Sequence, residues 1–346
     1  MPIAAPFSSP AGTPPATRTR VAIAGATGYA GQELVRILAR HPAVTLTAAM
    51  SSGAASTPRA MPALARIWDG TVVPLDIERL VADADIIFLA LPEAASAELA
   101  PALVERGRRV IDLSGAFRIR DQAARQRWYP ATAALPSGTV YGFSERNKEA
   151  IRGARLLSNP GCYPTAALMA LSPLADAGLL AGPVVVDAKS GVSGAGKTPS
   201  DRTHFSENHG SVAAYGIFGH RHTAEMEQEL PAPVTFVPHL VPLDRGILET
   251  IYARVRPGTT SRDVAEAMEA AYRNAPFVRL TGENLPEIKH AAYTNFCDIG
   301  WRVDAAGSRI LLVAVIDNLV KGAAGQAIQN MNVMLGYDER TGLLPV

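Results

Sequence analysis

Arg20-Val21-Ala22-Ile23-Ala24-Gly25-Ala26-Thr27-Gly28-Tyr29-Ala30-Gly31 is the stretch whose reading decides the fold. Arg20–Ala24 is a short apolar run of strand type, and it runs into three glycines spaced GxxGxxG. Gln32–Arg40 follows with apolar residues at helical spacing, His41-Pro42 ends that helix, and Val44–Met50 reads as a second strand. Strand, glycine turn, helix and strand make the opening of a dinucleotide-binding unit. The glycines permit a tight turn and let a pyrophosphate approach the helix N-terminus. A plain βα turn shares this pattern, and the spacing departs from the commoner GxGxxG. Its place between a strand and a helix favours the cofactor reading.

Working outward, Asp85–Pro92 is a buried strand, Ser96–Glu105 a helix and Arg109–Leu113 a further strand. The alternation predicts an α/β, Rossmann-type nucleotide domain with a parallel sheet over residues 19–160. After the second strand many NAD enzymes carry an acid for the ribose 2′-hydroxyl. Here the chain reads Ser51-Ser52-Gly53, with Arg59 further on. Hydroxyls with a cation suit a 2′-phosphate, so the expected cofactor is NADP. The strand at 109–113 opens into Ser114-Gly115-Ala116-Phe117-Arg118. An arginine just past a strand's C-terminal end grips a phosphate or carboxylate bidentately. A solvated surface arginine is the plain alternative.

Ser158-Asn159-Pro160-Gly161-Cys162-Tyr163-Pro164-Thr165 changes the pattern. Pro160 and Gly161 break regular structure, and Pro164 suits a first helical turn, so Cys162 is expected on a sharp turn at a helix N-terminus. The dipole and free N–H groups there favour a thiolate, although a lone cysteine is more often a small buried hydrophobe. Val184–Ser190 reads as a strand. The loop after it, Gly191–Thr198, matches GxxxxGK[ST] as a string, but Pro199 and Ser200-Asp201 interrupt any following helix. It is therefore read as an active-site loop and not as a P-loop. Gly219-His220-Arg221-His222-Thr223-Ala224-Glu225 comes next, then strands at Val234–Pro242 and Gly246–Val255 around a turn at Asp244-Arg245-Gly246. Ser261–Arg273 is a helix and Arg309–Leu319 a strand. Residues 161–318 thus read as an α+β catalytic and dimerisation domain whose sheet is mixed and largely antiparallel, with one face free for another subunit. Residues 319–346 end the chain with a helix at Ile328–Leu335.

Composition bounds the function. The chain has 346 residues, 48% hydrophobic and 19% charged, with a formal net charge of +1. That balance argues against nucleic acid as the main partner. No apolar run reaches the roughly 18 residues of a membrane span. Two cysteines, Cys162 and Cys297, make no disulfide framework, so a reducing cytoplasm is the expected setting. Met1–Arg18 is mostly Ala, Pro, Ser and Thr and reads as a disordered tail. A transit peptide is the alternative, since the segment has no acidic residue.

A nicotinamide site, a cysteine and a His-Arg-His cluster together suggest aldehyde chemistry. The thiol attacks a carbonyl, a histidine takes its proton, and cations hold the charge of an acyl phosphate. His220 and His222 lie two apart, so on an extended segment both point one way, with Arg221 opposite. A zinc reading with His204, His209, His220, His222 and Cys162 lacks paired-cysteine spacing, and no metal is expected.

Four segments together, SNPGCYPTA at 158–166, GATGYAGQELVRIL at 25–38, GHRHTAE at 219–225 and DNLVKGAAGQAIQNMN at 317–332, resemble N-acetyl-gamma-glutamyl-phosphate reductase of arginine biosynthesis. The last is shared more widely with aspartate-semialdehyde dehydrogenases. The resemblance runs from about Arg20 to the C-terminus and matches the longer, bacterial-type form. It implies NADPH-dependent reduction of an acyl phosphate to a semialdehyde through a cysteine thioester. By position, Cys162 would be the nucleophile and His220 the acid/base. Arg118, Ser114, Asn159, His222 and Glu225 would serve the substrate. Gly25, Thr27, Gly28, Tyr29 and Gly31 would hold the pyrophosphate, with Ser51, Ser52 and Arg59 at the 2′-phosphate. Ser190, Gly191, Asn318 and Lys321 would complete the cofactor set. The family often has a Gly-Lys after its paired serines, where this chain has only Arg59 to substitute. The family fold implies a last helix that returns to the nucleotide domain, and a homodimer or homotetramer joined through the second sheet. Two rival readings stay open: the same chemistry on N-acetyl-aminoadipyl phosphate of lysine synthesis, and a non-catalytic NADP-binding sensor.

Overall fold

The computed structural model of the chain describes residues 18–52 and 57–344. The tail expected over Met1–Arg18 lies outside them, apart from Arg18. The first sheet begins where β1 (Thr19–Ala24) passes through the glycine turn into α1 (Tyr29–Leu38) and on to β2 (Val44–Ser51). β3 (Arg59–Ala60), β4 (Thr71–Pro74), α2 (Ile77–Asp83), β5 (Ile86–Leu89), α3 (Glu93–Glu105), β6 (Arg109–Asp112), α4 (Gln122–Trp128), β7 (Thr139–Tyr141), α5 (Ser144–Arg152) and β8 (Leu156–Ser158) follow. The strands stand in the order β3-β4-β2-β1-β5-β6-β8-β7, with parallel neighbours except for the β3–β4 edge pair. The winding reverses between β1 and β5, which opens a crevice at the strands' C-terminal ends. Central strands are apolar throughout because helices cover both faces. Val21, Ile23, Phe88 and Ile111 face the α1 side, and Ala22, Ala24, Ile87 and Leu89 face α2 and α3.

Two glycines of the opening turn are demanded by sterics. Gly25 has φ +94°, and a Cβ there would stand 2.1 Å from the Ala90 carbonyl oxygen. A Cβ on Gly31 would stand 2.1 Å from the Gly25 carbonyl oxygen, so α1 could no longer pack so closely on the end of β1.

α6 (Cys162–Asp176) carries the chain away from β8. Its residues from Tyr163 to Leu174 are all buried, as expected of a helix apolar all round. β9 (Leu180–Gly191), α7 (Phe205–Asn208), β10 (Ala213–Ala214), α8 (His222–Glu229), β11 (Val234–Val241), β12 (Ile247–Val255), α9 (Ser261–Tyr272), β13 (Val278–Gly282), α10 (Ile288–Ala291), β14 (Cys297–Val303) and β15 (Arg309–Ile316) form the second layer. The order is β10-β11-β9-β12-β15-β14-β13, with β9–β11 and β13–β14 parallel and the other neighbours antiparallel. The strands on either side of the turn at Asp244-Arg245-Gly246 do not pair with each other, because β9 lies between them. One face of this sheet packs against α6, α8 and α9 through Val186, Ile251, Leu312, Met226 and Met268. On the other face Val185, Tyr252 and Leu311 stand side by side in register, and the first two are exposed. No helix among the described residues is long and apolar enough to cross a membrane.

After β15 a π turn (Val320–Ala324) leads into α11 (Gly325–Leu335). Ala327, Ile328, Met331 and Met334 of α11 share one core cluster with Leu34, Val35 and Leu38 of α1, so the chain ends against the first sheet. Gly25→Ala is expected to cost about 2 kcal/mol or more of folding stability, from strain at positive φ plus the clash with Ala90. Urea unfolding beside Ala26→Gly as a control checks this.

Candidate active site

The C-terminal ends of β1, β5, β6 and β8 meet the ends of β9 and β15 around one cleft of about 300 Å³. Cys162 stands in it as the first residue of α6, capped by the backbone of Gly161 alone. The thiol is half-buried, and a Cβ on Gly322 of the π turn would lie 2.8 Å from the Cys162 Cβ. Burial pushes the thiol up to about 11, against the opposing pull of the Arg118 guanidinium and the Tyr163 backbone N–H. Burial thus opposes the thiolate expected from the helix N-terminus. A helix dipole is worth about 0.3–1 kcal/mol at the surface, whereas burying a charge shifts a pKa by up to several units.

The carboxylate of Glu225, on α8 and fully buried, fixes the turn before the thiol. Its Oε1 accepts from the Gly161 N–H at 2.7 Å and from the Tyr141 hydroxyl at 2.8 Å. Its Oε2 lies 3.5 Å from Nη1 of Arg118. Arg118 in turn donates Nε to the Asn159 carbonyl and Nη2 to the Leu113 carbonyl, each at 2.8 Å. Nη1 also approaches Nε2 of His222 at 3.4 Å. A guanidinium only donates, so His222 Nε2 is an acceptor and its proton sits on Nδ1, which has no hydrogen-bond partner among the described residues. Burial, with His220, Arg118 and Arg221 nearby, holds His222 well below the ordinary histidine range, and the imidazole is neutral.

His220, expected as the acid/base, does not line the cleft. Its Nδ1 accepts the His222 N–H at 3.1 Å, and its ring lies edge-on among Tyr163, Tyr215 and Phe236. Burial and then Arg221 lower it to about 4. The segment is a turn running into α8 and not an extended strand, so Arg221 and His222 both reach the cleft while His220 is folded behind.

Gly28, Tyr29 and Gly31 line the other half, where α1 begins without a side-chain cap and leaves first-turn N–H groups free for an anion. Thr27 Oγ1 lies 3.2 Å from Ser51 Oγ, tying the turn to the end of β2. The turn, its close-packed glycines and these N–H groups fit a dinucleotide pyrophosphate. The loop after β9 crosses above, with Ser193, Gly194 and Lys197 lining the cleft and Lys197 Nζ 3.4 Å from the Thr27 carbonyl. The GxxxxGKT string marks this loop, but sequence reasoning named its first residues. Ser190 and Gly191 sit behind it, paired with Leu240 and Val241 of β11. Asn318 lines the cleft while its side chain is engaged, accepting from Gly246 N at 2.7 Å and donating to Ser193 Oγ at 2.9 Å.

Ser114, Ser52, Arg59 and Lys321 also lie off the cleft. Ser114 donates to Asp112 at 2.7 Å, forming the turn that carries Arg118. Arg59 is exposed on edge strand β3, and exposed Ser52 is separated from it by the undescribed residues 53–56. Lys321 is corrected outright. It is fully buried, donating to Glu145 at 2.7 Å and to Gln329 at 2.6 Å, and it joins the π turn to α5 and α11 without lining the cleft. Asn159 donates to the Ala323 carbonyl at 3.2 Å and accepts from Asn330 at 3.1 Å, so its side chain braces the cleft wall. Among the described residues no three His, Cys, Asp or Glu side chains gather as a metal site.

Family models for a semialdehyde dehydrogenase NAD binding domain and dimerisation domain match residues 20–154 and 162–318 respectively. The chain is 48% identical over 337 residues to an N-acetyl-gamma-glutamyl-phosphate reductase of Syntrophobacter fumaroxidans, covering 94% of this chain and 97% of the relative. It is 47% identical over 342 residues to one from Geobacillus stearothermophilus, covering 94% and 99%. Its fold is similar to aspartate semialdehyde dehydrogenase II from Vibrio cholerae, with TM-score 0.72 at 22% identity over 92% of this chain and 99% of that one. Aspartate semialdehyde dehydrogenase with NADP from Candida albicans gives TM-score 0.70 at 17% identity, covering 92% and 99%. Similarity at this level over nearly the full length places the chain in the N-acetyl-gamma-glutamyl-phosphate reductase family.

Proposed function

We propose that the protein reduces N-acetyl-L-glutamyl 5-phosphate to N-acetyl-L-glutamate 5-semialdehyde with release of phosphate, as a step of arginine synthesis, using NADPH. The observation that carries the reading is the meeting of Cys162 and the acceptor nitrogen of His222 in one cleft with the glycine turn. The thiol attacks the acyl carbon and passes its proton to His222 Nε2, so His222 takes the acid/base role in place of His220. The thioester forms as phosphate leaves, and His222 gives it the proton. NADPH, when bound, would supply the hydride for reduction of the thioester carbonyl. The thiol is restored, and the semialdehyde released, with a proton taken up from solvent through the same nitrogen. Glu225 and Arg118 hold the Gly161 turn and the imidazole in place.

Gly28, Tyr29 and Gly31 would hold the pyrophosphate, Lys197 would cover it, and Ser51, Ser52 and Arg59 would favour the 2′-phosphate. The family description of residues 162–318 as a dimerisation domain supports a second copy on the Val185, Tyr252 and Leu311 face.

The decisive assay is phosphate-dependent NADP reduction with N-acetylglutamate semialdehyde. Cys162→Ser is expected to abolish it while NADP still binds. His222→Asn should lower kcat by about 10²–10⁴-fold, the usual worth of a general base, and His220→Asn far less. The reverse order would return the role to His220. In the cofactor-free protein, raising the thiol pKa moves thiolate formation to higher pH. Alkylation of Cys162 by iodoacetamide should therefore keep rising beyond the ordinary thiol value of about 8.5. A plateau below pH 8 would sink the neutral-thiol reading.

A further inference from the structure

The substrate brings a phosphate and a carboxylate into a cleft whose obvious cation is already occupied. All three nitrogens of Arg118 are engaged, by the Asn159 and Leu113 carbonyls and by His222 and Glu225, and the Glu225 carboxylate offsets its charge. Lys197 leans over the glycine turn in the cofactor half. Arg221 differs from both. It lines the cleft beside His222, it is exposed, and among the described residues its guanidinium has no hydrogen-bond or ion-pair partner. Its one recorded contact is the ring of Tyr129, 5.6 Å away.

That contact is a built shelf. Tyr129 is fully buried, and a Cβ on Gly115 would stand 2.0 Å from its ring, so the glycine of the Ser114–Arg118 turn exists to admit it. Among the described residues the Tyr129 hydroxyl has no hydrogen-bond partner. A cation laid on an aromatic face keeps its planar fork free for a planar or tetrahedral oxyanion. We propose that Arg221, seated on Tyr129, is the residue that grips an oxyanion of the substrate, its phosphate or its carboxylate. The proposal rests on the acyl-phosphate reductase reading and adds a specificity residue to it.

The reverse reaction separates the two sources, because phosphate and carboxylate then arrive on different molecules: semialdehyde, phosphate and NADP⁺ give acyl phosphate, NADPH and a proton. In Arg221→Gln the KM for phosphate or for semialdehyde should rise by about 10–100-fold, the worth of a charge-assisted fork, with the KM for NADP unchanged. The constant that rises names the oxyanion. Arg221→Lys should recover only part, since an ammonium lacks the fork, and millimolar guanidinium should partly rescue Arg221→Ala. Both substrate constants unchanged, or all three raised together, would overturn the proposal. A readout without turnover keeps it apart from the reaction assignment. Inorganic phosphate or N-acetylglutamate should raise the Tm of the wild-type protein and not that of Arg221→Gln. An equal rise in both overturns the arginine's role. An absence of phosphate-dependent turnover in the wild type refutes the reaction instead.

Discussion

The Glu225 carboxylate is the constraint on which the rest of the site depends. It is a charge removed from water, and such a charge is tolerated only when its oxygens are met by good donors. Here Oε1 accepts from the Gly161 N–H of the β8–α6 turn and from the Tyr141 hydroxyl at the end of β7, while Oε2 makes an ion pair with the guanidinium carried beyond β6. Glu225 itself stands on α8, in the second layer. One side chain therefore sets the register between the strand ends of the first sheet and the helix that presents His222. Gly161 has no room for a side chain, since a Cβ would lie 2.6 Å from His222 Nε2 and 2.8 Å from Arg118 Nη1. The backbone, the guanidinium and the imidazole are packed as one unit around the carboxylate.

The opposite wall of the cleft is made by the end of the chain. The π turn brings Gly322 against Cys162, and a second buried ion pair, Lys321 with Glu145, holds that turn to α5. Gln329 bridges the pair and also donates to Glu339 at 2.9 Å, drawing the residues after α11 into the same network. Breaking a buried pair by deleting one partner strands the other charge, which is far costlier than losing a surface pair. Both walls are thus anchored by charges buried outside the reaction itself. The thiol sits between them with little freedom to drift.

Much of this was legible in the sequence, for identifiable reasons. The Gly25–Gly31 turn and its flanking strands could be read because sterics there admit only glycine and burial only apolar residues. The helix beginning at Cys162 followed from Pro160, Gly161 and Pro164. Short strands were not legible: β7 and β8 have three residues each, too few to show a period, and are stabilised by their neighbours. The insertion of β9 between β11 and β12 is a long-range pairing that local pattern does not encode. His220 was placed beside His222 because a period of two was applied to a segment that turns into a helix, where only His222 lines the cleft. Lys321 was misplaced because a lysine in a motif reads as a ligand's cation, and its partner Glu145 lies far away in sequence. Arg221 was passed over as the residue between two histidines, since nothing local reveals that Gly115 makes room for Tyr129 beneath it.

The electrostatics of the free cleft also bear on when the chemistry can start. A thiolate with an imidazolium would bury two charges, and the Arg118 guanidinium favours the first while opposing the second. With the thiol raised and the imidazole lowered, the uncharged pair is the resting form. Moving the proton from sulfur to Nε2 becomes cheaper only if negative charge arrives near the two arginines that disfavour the imidazolium. An acyl phosphate is such a charge, and it places the electrophilic carbon beside the sulfur at the same moment. On the proposed reading, activation of Cys162 would then be coupled to occupancy by the anionic substrate. On that reading the same coupling would keep the thiol slow at neutral pH toward solutes that lack an oxyanion, an advantage for a cysteine in an open cleft.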